Sequence, residues 1–326
     1  MKYIAFLCCL FSFCSCAADT PSEPEGGGKE EPVKIIFDTD MCFDVDDVGA
    51  LAVLHAYADQ HKAEILAVCF NETHKDGAAA IDAINTWYGR GEIPIGIYKG
   101  QLEDPDQSKY LSYLAKYPHD TPDDINKIKS SLDVYVETLS GQPDQSVTII
   151  SIGFLNNLEL LLSSHKDLVA QKVKKVVAMG GLIKDDFNFV RHNLVSTTEK
   201  VLKEWPTPII ITQLGGDVYT GACLETEPDS PVREAYYRWF DNKFEGRCSW
   251  DSYAVLYAVR GKDFFEEKWD SYIVLQNGVT LDMEEGRLHY IAPLFTPKEY
   301  QHVIDYLICR KTVSYTHLRA HETSQD

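Results

Sequence analysis

The stretch VKIIFDTDMCFDVDDVGAL at residues 33–51 decides the fold. It begins with the apolar, β-branched run at 35–37, which predicts a buried strand. Five carboxylates follow within ten residues: Asp38, Asp40, Asp44, Asp46 and Asp47. Residues 48–56 are then apolar and rich in good helix formers. We therefore expect the acidic loop at the carboxyl end of a strand, where open α/β sheets bind their ligands.

The number of aspartates in this loop exceeds what helix capping explains. Asp46 and Asp47 fit the first helical turn, where the helix dipole favours negative charge. Five crowded carboxylates repel one another unless some are protonated or a cation lies among them. An all-oxygen cluster suits Ca²⁺ or Mg²⁺ better than zinc. The loop therefore predicts a divalent metal site, with a solvated acidic loop as the alternative.

Size and charge narrow the class of protein. The chain has 326 residues, which is enough for one large α/β domain or two small ones. Its 44% hydrophobic residues are ordinary for a globular protein with a sizeable core. Lys and Arg number 31 against 50 Asp and Glu, a net charge of −19. This charge argues against a nucleic-acid partner held through its phosphates.

The amino terminus has the pattern of an export signal. Residues 1–16 contain a lysine, an apolar stretch that is too short to span a bilayer, and small residues around cysteines. They resemble a bacterial lipoprotein signal, with Cys16 as the lipidated residue and Cys14 as the second choice. An ordinary cleaved signal is the alternative. Residues 17–32 are rich in Pro, Gly, Glu and Ser and predict a flexible tether. We expect an exported protein that contacts a bacterial membrane only through this lipid anchor.

The cysteines indicate neither a disulfide framework nor a cysteine-based zinc site. Four of the nine belong to the signal, and no CxxC spacing occurs among the other five. These five are Cys42, Cys69, Cys223, Cys248 and Cys309. Export permits a disulfide bridge, but the spacing does not specify one.

Strand-like and helix-like stretches alternate from residue 33 onward, which predicts a parallel sheet with crossover helices. After the first strand, strands are predicted at 63–70, 93–98, 147–153, 173–181 and 208–214, with a strand or hairpin at 271–281. Helices are predicted at 77–88, 123–139, 155–162, 197–204, 231–244, 251–259 and 297–309. We interpret 33–312 as one α/β domain with an open, mostly parallel sheet and helices on both faces. Residues 313–326 lack apolar periodicity, so we interpret them as a non-native tail and exclude its histidines.

Polar residues recur where the predicted strands end. These are Asn71 to His74, Asn156 and Asn157, Asp185 to Asn188, Arg191 to Asn193, and Cys248 to Ser252. Turn and capping roles explain any single Asn or Asp among them. Their joint position at the carboxyl ends of strands favours a shared site.

These motifs together support a resemblance to a known family. DTDMCFDVDD at 38–47, Asn71, SIGFLNNLELL at 151–161, VVAMGG at 176–181, RHN at 191–193 and SWDSYAVL at 249–256 follow one another in the chain. This order resembles that of the inosine–uridine-preferring nucleoside hydrolase family over residues 33–310. The first loop is two residues longer than the family's usual DxDxGxDD.

The resemblance implies a calcium site. In the family, the second Asp of the first motif binds Ca²⁺ and is the general base for the attacking water, which implies both roles for Asp40. The motif's last Asp is a bidentate calcium ligand and corresponds to Asp47. A backbone carbonyl after the fourth strand corresponds to Asn156. The last ligand is the Asp of a His-Asp pair and corresponds to Asp251.

The resemblance also implies a ribose site. Asp46, the neighbour of the last Asp in the motif, corresponds to a residue that contacts ribose. Asn71 and Asn193 correspond to asparagines that hold ribose hydroxyls. Trp250 stands where the family has the histidine that assists the leaving base. A tryptophan can stack on a base or sugar, but it cannot deliver a proton in this role.

Other departures concern the substrate. Arg191 and His192 occupy the place of Glu and Phe in the family's Glu-Phe-Asn, which reverses the charge beside the ribose 5′-hydroxyl. Arg191 could favour an anionic ligand there or form a surface salt bridge. His74 and His192 are the nearest candidates to assist the leaving base. These changes leave the expected metal ligands in place.

Three functions follow from this sequence. The first is calcium-dependent hydrolysis of the N-glycosidic bond of a nucleoside or related riboside, giving base and ribose. The second is a tethered riboside-binding or sugar-binding protein without turnover. The third is a phosphatase of the haloacid-dehalogenase type, because Asp38-Thr39-Asp40 also resembles an aspartyl nucleophile loop. The partner is a small riboside in the first two cases, and the sequence leaves a homo-oligomer open.

Overall fold

The computed structural model describes residues 31–181 and 187–309. The predicted signal, the predicted tail and all of the tether except residues 31 and 32 lie outside the described residues, as do Asp185 and Asp186. Within the described ranges, no helix has the length and apolar character needed to cross a membrane.

The sheet that organises the fold begins at Val33. In chain order, the strands β1 to β12 of the described residues are Val33–Thr39, Ala63–Phe70, Ile95–Ile97, Val147–Ser151, Val173–Met179, Ile209–Thr212, Tyr219–Thr220, Arg247–Cys248, Phe265–Lys268, Tyr272–Val274, Thr280–Asp282 and Leu288–Pro293. Eight of them form one sheet in the order β3-β2-β1-β4-β5-β6-β12-β9. All neighbours in it are parallel except β12 and β9.

Strand β1 lies at the point where the strand order reverses. Phe37 is opposite Val68 of β2 on one side and Ile150 of β4 on the other. The chain passes from β1 to β2 and β3 in one direction, and β4, β5 and β6 extend the sheet in the other. In doubly wound sheets, the carboxyl ends of the strands at such a reversal open into a crevice that binds ligands. The predicted α/β class and the position of the acidic loop are both confirmed.

Helices cover both faces of this sheet. In chain order, the helices α1 to α10 of the described residues are Asp46–Asp59, Gly77–Trp87, Leu111–Leu114, Ser131–Ser140, Asn156–Lys172, Phe187–Val190, Val195–Glu204, Pro231–Trp239, Trp250–Arg260 and Pro297–Ile308. Ile35 and Phe37 face a core shared with α1, α9 and α10, whereas Ile36 faces a core shared with α4, α5 and α7. This alternation is the two-residue period of a strand that is buried on both faces.

Most of the predicted elements are present, but α5 continues past the predicted end at 162 to Lys172, and α8 ends at Trp239 instead of 244. The helix predicted at 123–139 is wrong in its first half, where a short 3₁₀ turn covers Ile125–Lys127. Helix α4 begins only at Ser131, because the Ser130 hydroxyl caps it by accepting a hydrogen bond from the Asp133 amide at 3.1 Å. The sequence also gave no prediction for β9 and β12, which complete one side of the sheet.

A disulfide bridge joins Cys223 to Cys309, across 86 residues. It links the 3₁₀ turn Ala222–Thr226 to the end of α10. Cys42, Cys69 and Cys248 are buried free thiols. The sequence permitted this bridge but could not choose its partners, since the two cysteines meet only in the folded chain.

Candidate metal and riboside site

Asp38, the first aspartate of the acidic loop, is fully buried and serves as a scaffold. Its Oδ1 accepts a hydrogen bond from the Asn71 amide at 2.5 Å. Its Oδ2 accepts from the Tyr135 hydroxyl at 2.7 Å and from the Asn157 amide at 3.1 Å. Burial raises the pKa of Asp38 to about 7, although the three hydrogen bonds oppose this rise. A phosphatase nucleophile needs free oxygens, so this geometry disfavours the phosphatase interpretation.

Asp46, Asp47 and Asp251 converge on one point, and we call them the triple-aspartate cluster. One carboxylate oxygen from each lies within 4.8 Å of those from the other two. Asp46 and Asp47 are in the first turn of α1, and Asp251 is in the first turn of α9. All three are at most 3% exposed. Two adjacent helix starts therefore bring together residues that are 205 positions apart in the chain.

Few hydrogen bonds compensate for the burial of these charges. The Thr39 hydroxyl donates to Asp47. The Asp251 amide donates to Asp46 Oδ2 at 3.3 Å. Asp251 Oδ1 is buried and has no hydrogen-bond partner among the described residues. A buried carboxylate oxygen without a partner is costly unless a cation or a proton satisfies it.

The electrostatics of the cluster fit a bound cation. Burial raises the pKa of the Asp251 carboxyl well above its usual range, and the charges of Asp46 and Asp47 raise it further. Burial likewise raises the pKa values of Asp46 and Asp47, and neighbouring aspartates add to both. A dication among these oxygens would reverse that penalty. The donor set, which is oxygen throughout, fits a hard divalent cation.

Asp40 lies beside the triple-aspartate cluster, and its carboxyl is within hydrogen-bonding range of that of Asp47. It is 8% exposed, the most of these four aspartates. Burial raises the pKa of Asp40 well above its usual range, and the charges of Asp106, Asp46 and Glu72 raise it further. The structure thus brings Asp40, Asp46, Asp47 and Asp251 together, and the roles that the resemblance implies for them stay predictions.

The predicted asparagines lie in different surroundings. Asn71 is buried and donates both to Asp38 and to the Phe154 carbonyl, at 3.1 Å. Asn156 begins α5, and its side chain donates to the Asn71 carbonyl at 2.9 Å. Asn193 is exposed and donates to Glu103 Oε1 at 3.1 Å. The predicted roles of these asparagines toward calcium and ribose stay predictions.

Asn188 is a strand-end residue to which the sequence analysis gave no role. Its amide donates to the Ile152 carbonyl beyond β4 at 2.7 Å and to the Met179 carbonyl of β5 at 3.2 Å. It is 3% exposed. The available signal was the pair Phe187-Asn188, which repeats the Phe-Asn of the family's Glu-Phe-Asn. The structure therefore offers a second placement of that motif, in which Asn188 rather than Asn193 takes the place of its asparagine.

Asp44 lies outside the triple-aspartate cluster. It forms a bidentate ion pair with Arg247, whose Nε is 2.8 Å from Asp44 Oδ1. The Arg247 guanidinium also lies over the rings of Trp239 and Trp250, 4.8 Å from each centroid. Asp44 therefore holds an arginine that packs against Trp250, the residue beside Asp251.

The two histidines considered as leaving-group acids have different surroundings. His74 lines a small cleft with Phe70 and Tyr98, and burial lowers its pKa. His192 is buried beside Glu72 and Asp106, two acidic residues to which the sequence analysis gave no role. No sequence motif pointed to Asp106, because it lies in a loop far from the others in the chain.

Comparison with known proteins identifies the family. The family model described as inosine-uridine preferring nucleoside hydrolase matches residues 35–288. The chain belongs to this family. It is therefore a hydrolase acting on N-glycosyl compounds, and the acidic cluster agrees with the metal dependence of the nucleoside hydrolases.

Solved structures share the fold at low sequence identity. A plant nucleoside hydrolase is 16% identical, with a TM-score of 0.62, over 86% of this chain and 100% of its own. A purine-preferring ribonucleoside hydrolase from Gardnerella vaginalis is 14% identical, with a TM-score of 0.62, over 84% and 98%. The type III effector protein XopQ, solved with adenosine diphosphate ribose, is 13% identical, with a TM-score of 0.61, over 85% and 92%. No curated protein matches the sequence.

Proposed function

We propose that this protein hydrolyses the N-glycosidic bond of a nucleoside or related riboside in a calcium-dependent reaction that releases free base and ribose. The observation that carries the proposal is the convergence of Asp46, Asp47 and Asp251 beside Asp40. Calcium is the proposed ion because the cluster offers only oxygen ligands and because Ca²⁺ accepts flexible sets of carboxylates and carbonyls. Asp40, Asp47, Asp251 and the Asn156 carbonyl would hold it.

A bound calcium ion would polarise the attacking water and help to orient the sugar diol. Asp40 accepts the proton of that water as its oxygen bonds to the anomeric carbon and the bond to the base breaks. Asp40 is placed for this role because its carboxyl lies beside that of Asp47 and is the most exposed of the four aspartates. The surrounding carboxylates stabilise the positive charge that develops on the ribose.

The leaving base constrains the substrate. Trp250 stands beside Asp251 and cannot supply a proton to a departing base. A neutral purine needs such a proton, whereas the cationic ring of a nicotinamide riboside leaves as a neutral molecule. We therefore expect nicotinamide riboside to be cleaved faster than inosine or uridine.

A reducing-sugar assay tests the proposal. Purified protein is incubated with purine, pyrimidine and nicotinamide ribosides, with and without a chelator. Ribose release that the chelator stops and calcium restores is the expected result, and Asp40→Ala abolishes it. Release that is unaffected by chelation would contradict calcium dependence, and release of phosphate from phosphorylated substrates alone would favour the phosphatase.

Riboside binding without turnover is the second candidate function. Trp250 in place of the catalytic histidine favours it, and XopQ, which shares the fold, was solved with adenosine diphosphate ribose. Calorimetry with that ligand and with nucleosides would separate the two functions. Calcium-dependent binding without ribose release across the whole panel would establish a binding protein.

We also propose that the domain is exported and anchored through a lipid on Cys16. The disulfide bridge between Cys223 and Cys309 supports an oxidising compartment. Labelled fatty acid should be incorporated into the wild-type protein and into Cys14→Ser, but not into Cys16→Ser. Equal labelling of both variants would refute this anchor.

A further inference from the structure

A second cluster of potential ligands lies outside the triple-aspartate cluster. It consists of Glu72, just after β2, Asp106, in the loop between β3 and α3, and His192, in the 3₁₀ turn Arg191–Asn193. One ligand atom from each lies within 4.8 Å of the other two, and all three residues are buried. We call this group the Glu-Asp-His cluster. The calcium ligands proposed above include none of its members.

The orientation of His192 leaves one ring nitrogen facing the carboxylates. Its Nδ1 is 2.7 Å from the Glu103 carbonyl, which can only accept a hydrogen bond. Nδ1 therefore carries the proton in the neutral ring, and Nε2 presents a lone pair. The backbone of His192 has a φ of 54°, a conformation that is uncommon for a residue with a side chain. The edge of the ring also packs at right angles to Phe154, with centroids 4.5 Å apart.

The distances within the cluster exceed those of hydrogen bonds. His192 Nε2 is 3.6 Å from Glu72 Oε2 and 3.6 Å from Asp106 Oδ2. Hydrogen bonds between such groups are about 2.7–3.2 Å long. Ligands at about 2.0–2.1 Å from a tetrahedral ion are about 3.4 Å apart. His192 Nε2 and Glu72 Oε2 are buried without a hydrogen-bond partner among the described residues.

Each carboxylate has one oxygen held by the protein and the other directed into the cluster. Glu72 Oε1 accepts from the Thr73 hydroxyl at 3.2 Å. Asp106 Oδ1 accepts from Arg191 at 2.5 Å, while the Cys42 thiol contacts the Asp106 carbonyl at 3.5 Å. Outer contacts of this kind fix metal ligands in place. With a neutral imidazole, two carboxylates and Arg191 leave a net negative charge, which favours a dication.

We propose that Glu72, Asp106 and His192 form a second divalent metal site, distinct from the calcium site. One imidazole nitrogen and two carboxylate oxygens suit a borderline transition ion such as Zn²⁺ better than Ca²⁺, which prefers oxygen alone. The proposal goes beyond the proposed hydrolysis and does not depend on it.

Zinc titration of the calcium-saturated protein tests this site. The intact protein is stripped with a chelator, saturated with Ca²⁺ and titrated with Zn²⁺ by calorimetry, and the bound metal is counted by mass spectrometry. We expect one equivalent of Zn²⁺ per chain beyond calcium. His192→Ala should weaken that binding by more than about 100-fold, the upper range for losing only an outer contact. The isosteric Glu72→Gln should also weaken it, which covers the case in which His192→Ala does not fold.

Two control variants separate this site from the rest of the molecule. Asp251→Asn should lose calcium binding and keep the zinc equivalent. His302→Ala removes an exposed histidine and should leave zinc binding unchanged. The proposal is overturned if the wild type binds no zinc beyond calcium, or if folded His192→Ala and Glu72→Gln bind it as tightly as the wild type. In that case the cluster is a buried histidine–carboxylate network.

Discussion

The triple-aspartate cluster and the Glu-Asp-His cluster both bury negatively charged side chains close together, but they differ in ligand atoms and in the elements that carry them. Both bury three ligand residues with atoms within 4.8 Å of one another. The triple-aspartate cluster offers only oxygen atoms, and its residues lie in the first turns of α1 and α9. The Glu-Asp-His cluster offers one nitrogen and two carboxylates. Glu72 follows β2, Asp106 lies in a loop, and His192 lies in a 3₁₀ turn.

The two clusters differ in what holds them in place. Helices α1 and α9 pack against each other in the core, so the first cluster is held by the same contacts that hold the fold. The second cluster depends on loop contacts such as that between Arg191 and Asp106, which can vary without disturbing the core. Asp40 interacts electrostatically with both clusters. Besides burial, the charges of Asp106, Asp46 and Glu72 raise its pKa.

The largest expected effect comes from removing the base beside the first cluster. Asp40→Asn should lower kcat by about 10²–10⁴-fold, the usual contribution of a general base. Asp44→Asn is the matched control, because the Asp44 side chain is held by Arg247 and should cost less than about tenfold, as no proton transfer is lost. Steady-state ribose release measures both variants. Equal losses of kcat would mean that Asp40 contributes only its negative charge, as Asp44 does, and is not the base.

A smaller effect tests whether either cluster depends on the disulfide. Cys223→Ser should lower the free energy of unfolding by about 2–5 kcal/mol, because the bridge closes a long loop. Denaturant titration measures the loss, with the free thiol variant Cys248→Ser as the control. We expect calcium still to stabilise Cys223→Ser, since no proposed calcium ligand lies in the 3₁₀ turn Ala222–Thr226 or in α10, the two segments that the bridge joins. If calcium no longer stabilised Cys223→Ser, the geometry of the triple-aspartate cluster would depend on the position of α10.

The free energy of unfolding should depend on calcium and on pH through the triple-aspartate cluster. Burial and mutual repulsion raise the pKa values of Asp46, Asp47 and Asp251 in the folded state. The folded protein therefore holds more protons than the unfolded chain, and the chelated protein should lose stability as the pH rises above about 4. At pH 7, calcium at 100 to 1,000 times its Kd should restore about 2.7–4.1 kcal/mol.

Thermal unfolding across this pH range, with chelator or calcium, measures the effect. Asp251→Asn removes one of the repelling charges and should flatten the pH dependence of the chelated protein. His192→Ala should leave the calcium response unchanged. A chelated wild type that grows more stable as the pH rises from about 4 to 7 would contradict the raised pKa values.

The smallest effect concerns Asp44, the aspartate that pairs with Arg247. Arg247→Met should cost about 1–2 kcal/mol of stability, because the ion pair with Asp44 is bidentate and partly buried. Lys203→Met breaks a more exposed ion pair with Glu199 and should cost about 0.3–0.5 kcal/mol. Denaturant unfolding compares the two. Equal losses would show that the Arg247 pair is an ordinary surface contact.

Much of the fold was predictable because its signals are local. The apolar run at 35–37 and the aspartates after it predicted β1, the loop and α1, and the strand predicted at 63–70 has the same bounds as β2. β9 (FEEK) and β12 (LHYIAP) gave weaker signals, since neither is an unbroken apolar run and β12 ends in a proline. The helix predicted at 123–139 was too long at its start. Its apolar spacing continues before Ser130, but the Ser130 hydroxyl caps the helix there.

The sequence by itself determined the chemistry of the acidic loop, because five aspartates crowded into one short motif offer only oxygen ligands wherever the loop folds. Only the tertiary structure decided which aspartates share a site: Asp38 turned inward to three donors, and Asp44 turned to Arg247. The tertiary structure alone joined Glu72, Asp106 and His192. The physical reason is that hydrogen bonds and burial act over a few ångströms in space, whereas a motif records only neighbours along the chain.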